Sequence, residues 1–476
     1  MRNRLPWIFS ILFFVTLLFT RFYNLDHTAR FTRDESRDLV HMRQIVVDKK
    51  LTLVGPISND NNKVFGSLTY YMLLPFVIGA HFMPIGPAIG AAVWGTLTAL
   101  ILIAITYKVN RRFLIVILPL VLLWFPLLET SRWAWNPHFV LFWISLGILF
   151  TCWKKLWAYF SAGISLSLSF HNHYIAFFAT SVFVGLLFLQ TCLREKAYKR
   201  AFALGIGYVL PFLPFFLFDF LHPPGIFVTR YLLGGDTPQT AAFTLQSGME
   251  KIAHAAAMSV HYLAPVPYLP IVIGVLLVLL AVLDIRARSK NLLWFLPVLA
   301  QLGMSVILVD YQTRYFLPAL PFLFVWLIVP RKHLASKIAK VITVLLLIGS
   351  FLTAHDQLTK TSVPPDIYSL TKATAIIAGV VKDPNTPIKN PNIAVLSAPD
   401  TDPMAEKYRD ALSIYDIHFL TSAQYNVSEN LFVVSPAPEA QLRADGDYAM
   451  KPFKNSILRH TYTIPNSPWK VYWFSF

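Results

Sequence analysis

The stretch Arg30-Phe31-Thr32-Arg33-Asp34-Glu35-Ser36-Arg37-Asp38 follows the first hydrophobic segment of the chain, residues 5–20. Six of its nine residues are charged, whereas charged residues make up 14% of the whole chain. Charged groups prefer bulk water to the headgroup region of a membrane, so a dense cluster beside an apolar segment indicates a functional role. The adjacent carboxylates Asp34 and Glu35 lie near the start of a predicted helix, residues 35–48, which they could also cap.

Composition predicts a polytopic membrane protein. The 476 residues are 55% hydrophobic and 15% aromatic, and their mean hydropathy is +0.54. A soluble chain of this length could not bury that much apolar surface. The net charge of +16 would suggest nucleic acid as the partner of a soluble domain. Much of the excess lies in short clusters between hydrophobic segments, so membrane topology explains it better and no nucleic-acid partner is expected.

Hydrophobic segments that predict membrane spans occupy residues 5–20, 87–107, 113–128, 137–153, 157–170, 174–192, 201–218, 268–283, 291–309, 315–329 and 338–353. The orientation depends on whether residues 66–83, which are also apolar, cross the membrane. If they do not, the basic loops all lie on the cytoplasmic side with the N-terminus: 108–112, 154–155, 194–200, 286–290 and 331–340. We therefore expect 66–83 to be a juxtamembrane element on the outer face.

This topology predicts an all-α polytopic domain over residues 1–353 with about 11 spans. The segments predicted on the outer face are then residues 21–86, 129–136, 171–173, 219–267, 310–314 and the tail from about 354. The expected location is the cell membrane, with the N-terminus in the cytoplasm. Acidic and basic residues lie at span ends and in loops. Ion-coupled transporters usually carry ionisable groups near the midplane, so the pattern favours chemistry at one membrane surface.

The tail from residue 354 has the composition of a small α/β domain outside the cytoplasm. Strands are predicted at 392–397, 431–435, 457–463 and 469–475, where β-branched and aromatic residues concentrate. An amphipathic helix is predicted from Asp402 to Tyr415, with Thr401 or Asp402 near its cap. The predicted domain boundaries are therefore 1–353 and 354–476, and the outer-face loop 21–86 belongs to the first domain.

Polar residues that could carry chemistry converge on the outer face in this topology. They are Asp34, Glu35, Lys63, Glu129, Arg132, Asn136, His171, His173, Asp219, His222, Arg230, Asp310 and Arg314. Several lie in recognisable stretches: Arg132-Trp-Ala-Trp-Asn-Pro137, Phe170-His-Asn-His-Tyr174 and Arg314-Tyr-Phe-Leu-Pro-Ala-Leu-Pro321.

The chain resembles the membrane-embedded C-type glycosyltransferases, in particular the branch that contains protein O-mannosyltransferases and aminoarabinose transferases. The matching pieces are the acidic pair after the first span, residues 66–75 with Tyr70-Tyr71, and the two arginine stretches at 132–137 and 314–321. The resemblance covers roughly residues 5–353. No single piece is specific to the family. The resemblance rests on the order of the pieces along the chain and on their predicted location on the same side of the membrane.

The resemblance implies inverting transfer of a sugar from a polyprenyl-phosphate carrier to a lipid, glycan or protein acceptor at the outer face. The acidic residue after the first span would be the general base, which selects Asp34, with Glu35 beside it. Cations would bind the leaving phosphate, and the candidates are Arg314, Arg132, Arg230 and Lys63. Candidates near substrate or metal are Asn136, His171, His173, Asp219 and Tyr315. No cofactor is certain. Asn136 stands where related enzymes often carry an acidic residue, which weakens the expectation of a divalent metal, although His171 and His173 could help to bind a metal or phosphate.

Other interpretations of the same residues stay open at this point. Within enzymes, a polymerase or ligase of lipid-linked saccharides would use a diphosphate donor. A transporter or flippase of such lipids and a non-catalytic scaffold are the alternatives from other classes. Arg132 and Arg314 could be interfacial anchors, and Trp133 and Trp135 could be belt aromatics.

Overall fold

A computed structural model describes residues 5–57, 64–223, 225–227, 245–308, 311–360, 364–386, 388–396, 404–444 and 446–476. Three residues singled out from the sequence, Lys63, Arg230 and Asp310, lie outside the described residues, as do Thr401 and Asp402 at the predicted helix cap.

The part up to residue 360 is almost entirely helical. Its helices are α1 (Leu5–Phe22), α2 (Leu25–Thr28), α3 (Arg33–Val47), α4 (Leu68–Gly79), α5 (Ile85–Asn110), α6 (Leu114–Leu123), α7 (Phe125–Thr130), α8 (Val140–Thr151), α9 (Leu156–Asn172), α10 (Ala176–Leu189), α11 (Tyr198–Val209), α12 (Leu213–Leu221), α13 (Leu245–Leu263), α14 (Leu269–Arg286), α15 (Leu292–Gly303), α16 (Leu320–Ile328) and α17 (His333–Thr359). A short antiparallel ribbon, β1 (Val54–Ile57) and β2 (Val64–Gly66), precedes α4.

Each predicted hydrophobic segment is helical over most of its length. Among the described residues, five helical stretches are long and apolar enough to cross a membrane by length and composition: Ile85–Leu123, Ala176–Arg194, Tyr198–Leu221, Leu269–Arg286 and His333–Thr359. Six further apolar helices are shorter. The predicted number of crossings, about 11, therefore stays a prediction.

The break between α6 and α7 shows how buried arginines stabilise interrupted helices. Pro126 has no N–H for the carbonyl of Leu122, so α6 ends at Leu123. The buried guanidinium of Arg21 donates instead to the carbonyls of Val121 and Leu122, at 2.7 and 2.8 Å. Carbonyls at a helix end need such a partner when water is excluded. Arg21 thus joins the end of α1 to the α6–α7 break.

The C-terminal region contains α18 (Ile367–Val381), α19 (Glu406–Ser413) and α20 (Glu439–Ala444). Its strands are β3 (Pro391–Val395), β4 (Asn430–Ser435), β5 (Ile457–Thr463) and β6 (Lys470–Ser475). They form one sheet in the order β3-β4-β6-β5, with β3 parallel to β4 and the other pairs antiparallel. Both faces of β4 are buried, as its unbroken apolar sequence indicates.

The C-terminal region packs directly on α3, the helix that begins in the charged stretch. One hydrophobic cluster includes Leu39 and Met42 of α3 together with Tyr408 of α19. Polar contacts border it: Ser36 Oγ donates to Asp410 at 2.7 Å, and Arg43 pairs with Asp416 at 3.0 Å. The position of α3 is therefore set from two sides, by the helical bundle and by the C-terminal region.

Candidate active site

The first turn of α3 carries Asp34 and Glu35, and its sequence explains why the helix begins there. Thr32 is the N-cap, and the carboxylate of Glu35 accepts hydrogen bonds from the backbone N–H and the hydroxyl of Thr32, both at 2.6 Å. This capping box satisfies N–H groups that have no partner within the helix. The helix starts at Arg33, two residues before the predicted start.

Asp34 is on the accessible side of this turn. Its side chain is 22% exposed, and its Oδ1 lies 3.3 Å from Nη1 of Arg37, one turn further along α3. Arg37 also contacts Asp38 at 3.0 Å, so a single guanidinium serves two carboxylates. The hydroxyl of Tyr70 donates to Asp38 at 3.2 Å. Burial raises the pKa of Asp38 to about 7, although the charge of Arg37 partly offsets this.

Glu35, by contrast, is buried, with 3% of its surface exposed. One carboxylate oxygen is occupied by Thr32, and the other accepts a hydrogen bond of 2.8 Å from the indole Nε1 of Trp133. Burial raises the pKa of Glu35 above its ordinary value, and the hydrogen bonds from Thr32 and Trp133 act against this rise. The two members of the acidic pair therefore have different environments, one partly exposed beside Arg37 and one buried with partners within the protein.

Trp133 belongs to a stack of four side chains, Arg30, Trp133, Trp135 and Arg314, that we call the arginine–tryptophan stack. The two indole rings are nearly parallel, with 9° between their planes and 4.5 Å between centroids. Arg30 lies over the outer face of Trp133 and Arg314 over that of Trp135, each 4.6 Å from the ring centroid. His138 contacts the edges of both indoles. Both faces of each indole are thus covered.

Arg314 lies between Trp135 and Tyr315. Its Nη2 donates to the Tyr315 hydroxyl at 3.3 Å, and its carbon Cζ is 5.0 Å from the Tyr315 ring centroid. Its Nε is buried without a hydrogen-bond partner. Within the described part of the chain, no carboxylate pairs with Arg314. The ring of Tyr315 also contacts His173, which lies against Phe65 of β2. Glu35, Arg314, Tyr315 and His173 therefore belong to one continuous set of contacts.

Arg132 has a different environment from Arg314. It is buried, and its guanidinium donates to the carbonyls of Thr20 and Tyr23, at 3.1 and 2.8 Å, and to the hydroxyl of Thr28. Burial lowers the pKa of Arg132 to about 10. These donors bind the end of α1 to the loop after α7, so a phosphate role for Arg132 would have to displace them.

The other predicted residues are also engaged within the protein. Asn136 donates to the carbonyl of Asn172 at 2.7 Å. His171 donates from Nε2 to the carbonyl of Pro211 at 2.7 Å, and burial lowers the pKa of His171 to about 4. Asp219 accepts hydrogen bonds from the backbone N–H groups of Ile226 and Phe227, at 2.8 and 2.9 Å, and shapes the loop after α12.

A divalent metal finds no ready set of ligands among these groups. In the described ranges, no group of three or more His, Cys, Asp or Glu side chains could hold a metal ion. Asn136 and His171, two of the residues considered for this role, already use a nitrogen on backbone carbonyls. The described residues considered for this role form no metal site, and no chemical step is assigned to a metal.

Sequence reasoning did not identify Arg30, Arg37 and Trp133 as members of the site. The spacing of Asp34, Arg37 and Asp38, i, i+3 and i+4, was the available signal for Arg37, because such residues share a helix face. Nothing comparable indicated the arginine–tryptophan stack, whose members come from three distant parts of the chain.

Comparisons with known proteins agree with this architecture. No protein-family model matches the chain, and no curated protein matches its sequence. Two solved structures do match: ArnT from Cupriavidus metallidurans in the apo state, with a TM-score of 0.58, and the same protein bound to undecaprenyl phosphate, with a TM-score of 0.55. Sequence identity is 12% in both, and the match covers 99% of this chain and 98% of ArnT.

A match over both full lengths confirms, at the level of fold, the resemblance drawn from the order of the sequence motifs. ArnT is an aminoarabinose transferase and a C-type glycosyltransferase. The chain therefore has the fold of the C-type glycosyltransferases, as seen in ArnT, over almost its whole length.

Proposed function

We propose that this protein is an integral-membrane glycosyltransferase that transfers a sugar, with inversion, from a polyprenyl-phosphate carrier to an acceptor at the outer face of the membrane. The observation that carries the proposal is the position of Arg314. It lies against aromatic rings with no carboxylate partner among the described residues, and Trp135 and Trp133 link it to the turn that bears Asp34. An arginine in this position is available to a phosphate.

The proposed chemistry divides the work between these two groups. Asp34 accepts the proton of the acceptor hydroxyl or amine while the acceptor atom bonds to the anomeric carbon. The bond from that carbon to the phosphate oxygen breaks, and the electron pair leaves with the polyprenyl phosphate. Arg314 stabilises the charge that develops on this leaving group. Tyr315, which shares a hydrogen bond with Arg314, is expected at the same subsite.

The fold supports the lipid nature of the donor. One of the matching ArnT structures is bound to undecaprenyl phosphate. We extend that class of carrier to this chain because its apolar helices would place the site where such a lipid resides. The donor-phosphate roles of Lys63 and Arg230 remain part of the proposal.

The proposed topology keeps about 11 spans, the N-terminus in the cytoplasm and the α/β region after residue 354 outside it. The length of α4 supports the placement of residues 66–83. With 12 residues, or about 18 Å, α4 is the shortest apolar helical stretch among the described residues, and it is well short of a hydrocarbon core of about 30 Å. A juxtamembrane α4 keeps every short basic loop on the cytoplasmic side.

The first test is Asp34→Asn in a membrane transfer assay with labelled polyprenyl-phosphate sugars. Removal of the base is expected to lower the turnover rate by about two to four orders of magnitude, while donor binding is largely kept because the amide is nearly isosteric. Asp26→Asn is the matched control, since Asp26 lies in α2 near the same turn and its side chain is 46% exposed. Full turnover by Asp34→Asn would contradict the assignment of the base. No transfer by the wild type from any lipid-linked sugar would favour transport or a scaffold role.

A further inference from the structure

Three hydrogen-bond donors of the protein already occupy the carboxylate of Glu35, and this bears on its role. Oε2 receives both hydrogen bonds from Thr32, and Oε1 receives the indole N–H of Trp133. A buried carboxylate with these partners cannot approach an acceptor without leaving three donors unsatisfied, which is energetically unfavourable. Glu35 is therefore better suited to orient its partners than to take a proton.

The group that Glu35 orients is Trp133, and through it the arginine–tryptophan stack. A hydrogen bond to Nε1 restrains the direction of the N–H within the indole plane, and the stacked neighbours of Trp133 restrain the remaining rotation of the ring. The plane of Trp133 sets that of Trp135, which is 9° away, and Trp135 carries Arg314 on its other face. At the far end, Arg30 lies over Trp133 and its Nη2 is 3.8 Å from Glu129.

The tryptophans of the stack have neighbours on their ring faces. Trp133 lies between Arg30 and Trp135, and Trp135 lies between Trp133 and Arg314. Each indole has the other ring and one guanidinium as neighbours, and both side chains stay partly exposed, so these contacts fit a spacer better than an open platform for a sugar ring. The two tryptophans therefore act as a spacer of fixed thickness between α3 and Arg314.

We propose that Glu35 and Trp133 are positioning residues for Arg314: they fix the distance and direction of the phosphate-binding guanidinium relative to the base. Asp34 and Glu35 are consecutive, so the first turn of α3 carries the base on one side and the anchor of the stack on the other. This inference rests on the proposed function for the roles of Asp34 and Arg314. It differs from the sequence-based expectation that Glu35 is catalytic.

The test is a double-mutant cycle with Glu35→Gln and Trp133→Phe. Glutamine has one acceptor oxygen where glutamate has two. Either Thr32 or Trp133 would therefore point its hydrogen-bond donor at an NH2 group. Phenylalanine keeps the stacked ring but removes the N–H. Each variant is expected to weaken binding of undecaprenyl phosphate by about tenfold, which corresponds to 1.4 kcal/mol, and to raise the donor KM similarly. The double variant is expected to match either single one, because both remove the same link.

A positioning role also predicts how the kinetic constants divide. At saturating donor, kcat should fall less than about threefold in Glu35→Gln, whereas a catalytic base would lose about two to four orders of magnitude. Trp143→Phe is the matched control, since its indole donates to Met72 outside the stack, at 3.3 Å. Additive losses in the cycle, or a kcat loss in Glu35→Gln as large as that in Asp34→Asn, would overturn the inference.

A spectroscopic arm separates failure of this inference from failure of the proposed function. The electronic transitions of two indoles in contact couple and give a couplet in the circular-dichroism spectrum. The couplet of Trp133 and Trp135 is obtained by subtracting the spectrum of Trp135→Phe from that of the wild type. Glu35→Gln should reduce that couplet. Wild-type protein that binds no undecaprenyl phosphate would contradict the proposed function, and the couplet would still decide the role of Glu35. A couplet that Glu35→Gln leaves unchanged would overturn the role assigned here.

Discussion

Two arginine–tryptophan clusters lie at opposite ends of the helical segment 313–328, and they differ in one respect. At its C-terminal end, Arg331 lies over Trp326 and pairs with Asp284 at 2.8 Å, and the indole of Trp326 donates to the same carboxylate. At its N-terminal end, Arg314 lies over Trp135, but the carboxylate that receives an indole N–H is Glu35, beyond a second tryptophan. The first cluster neutralises its own charge. In the second cluster, no carboxylate among the described residues pairs with Arg314.

The difference teaches how to separate structural arginines from ligand-binding ones. Arg21, Arg132 and Arg331 donate to carbonyls or to a carboxylate within the protein, and each ties two elements together. Arg314 rests on aromatic faces, which stabilise a cation without using its hydrogen-bond donors. A guanidinium held in this way is oriented and still able to bind an anion.

The largest expected effect follows from removing the carboxylate of the closed cluster. The side chains of Arg331 and Asp284 are 2% and 5% exposed, so Asp284→Ala leaves a buried cation without its partner. We expect the free energy of unfolding in detergent to fall by about 3–5 kcal/mol. The exposed Lys360–Asp356 pair supplies the control, since Asp356→Ala should cost less than about 1 kcal/mol. Similar small losses in both variants would contradict the structural role of the first cluster.

The open cluster should give the opposite pattern. Arg314→Gln removes a charge-assisted contact to phosphate, so donor binding should weaken by about 1.5–3 kcal/mol. Stability should fall by only about 1 kcal/mol, the contribution of its contacts with Trp135 and Tyr315. Both quantities are measured on the same purified protein, by lipid binding and by denaturation. Arg112→Gln, an exposed arginine after α5, is the matched control. A variant that unfolds like Asp284→Ala but binds the donor normally would erase the distinction between the clusters.

Local sequence signals predicted the regular structure well. The four strands of the C-terminal region lie within two residues of their predicted bounds, because alternation and β-branched runs are read from neighbouring residues. The N-cap of α3 follows from the spacing of Thr32 and Glu35, although the sequence-based reading emphasised Asp34 and Glu35 as the capping residues.

The arrangement of the site could not be predicted in the same way. Arg30 and Arg314 contact the same pair of indoles, although the two arginines are 284 residues apart in the sequence (314 − 30). No local period encodes such a contact. Arg132 and Arg314 are both phosphate candidates in sequence, with Arg314 favoured, and the structure separates them by their partners, carbonyls for one and aromatic rings for the other.

Per pH unit, the smallest effect is a slope in the dependence of stability on pH, and it tests the uneven sharing of Arg37. One guanidinium serves Asp34 and Asp38, whereas Arg331 serves Asp284 alone. Because burial raises the pKa of Asp38 from 3.8 to about 7, the folded state holds a proton that the unfolded chain releases. The free energy of unfolding should therefore fall as pH rises from about 4 to about 7, by at most about 1.4 kcal/mol per pH unit.

Asp38→Asn should flatten that part of the profile. Asp48→Asn, which removes a carboxylate from the end of the same helix, is the control. An unchanged slope in Asp38→Asn would mean that Arg37 compensates both carboxylates as fully as Arg331 compensates one.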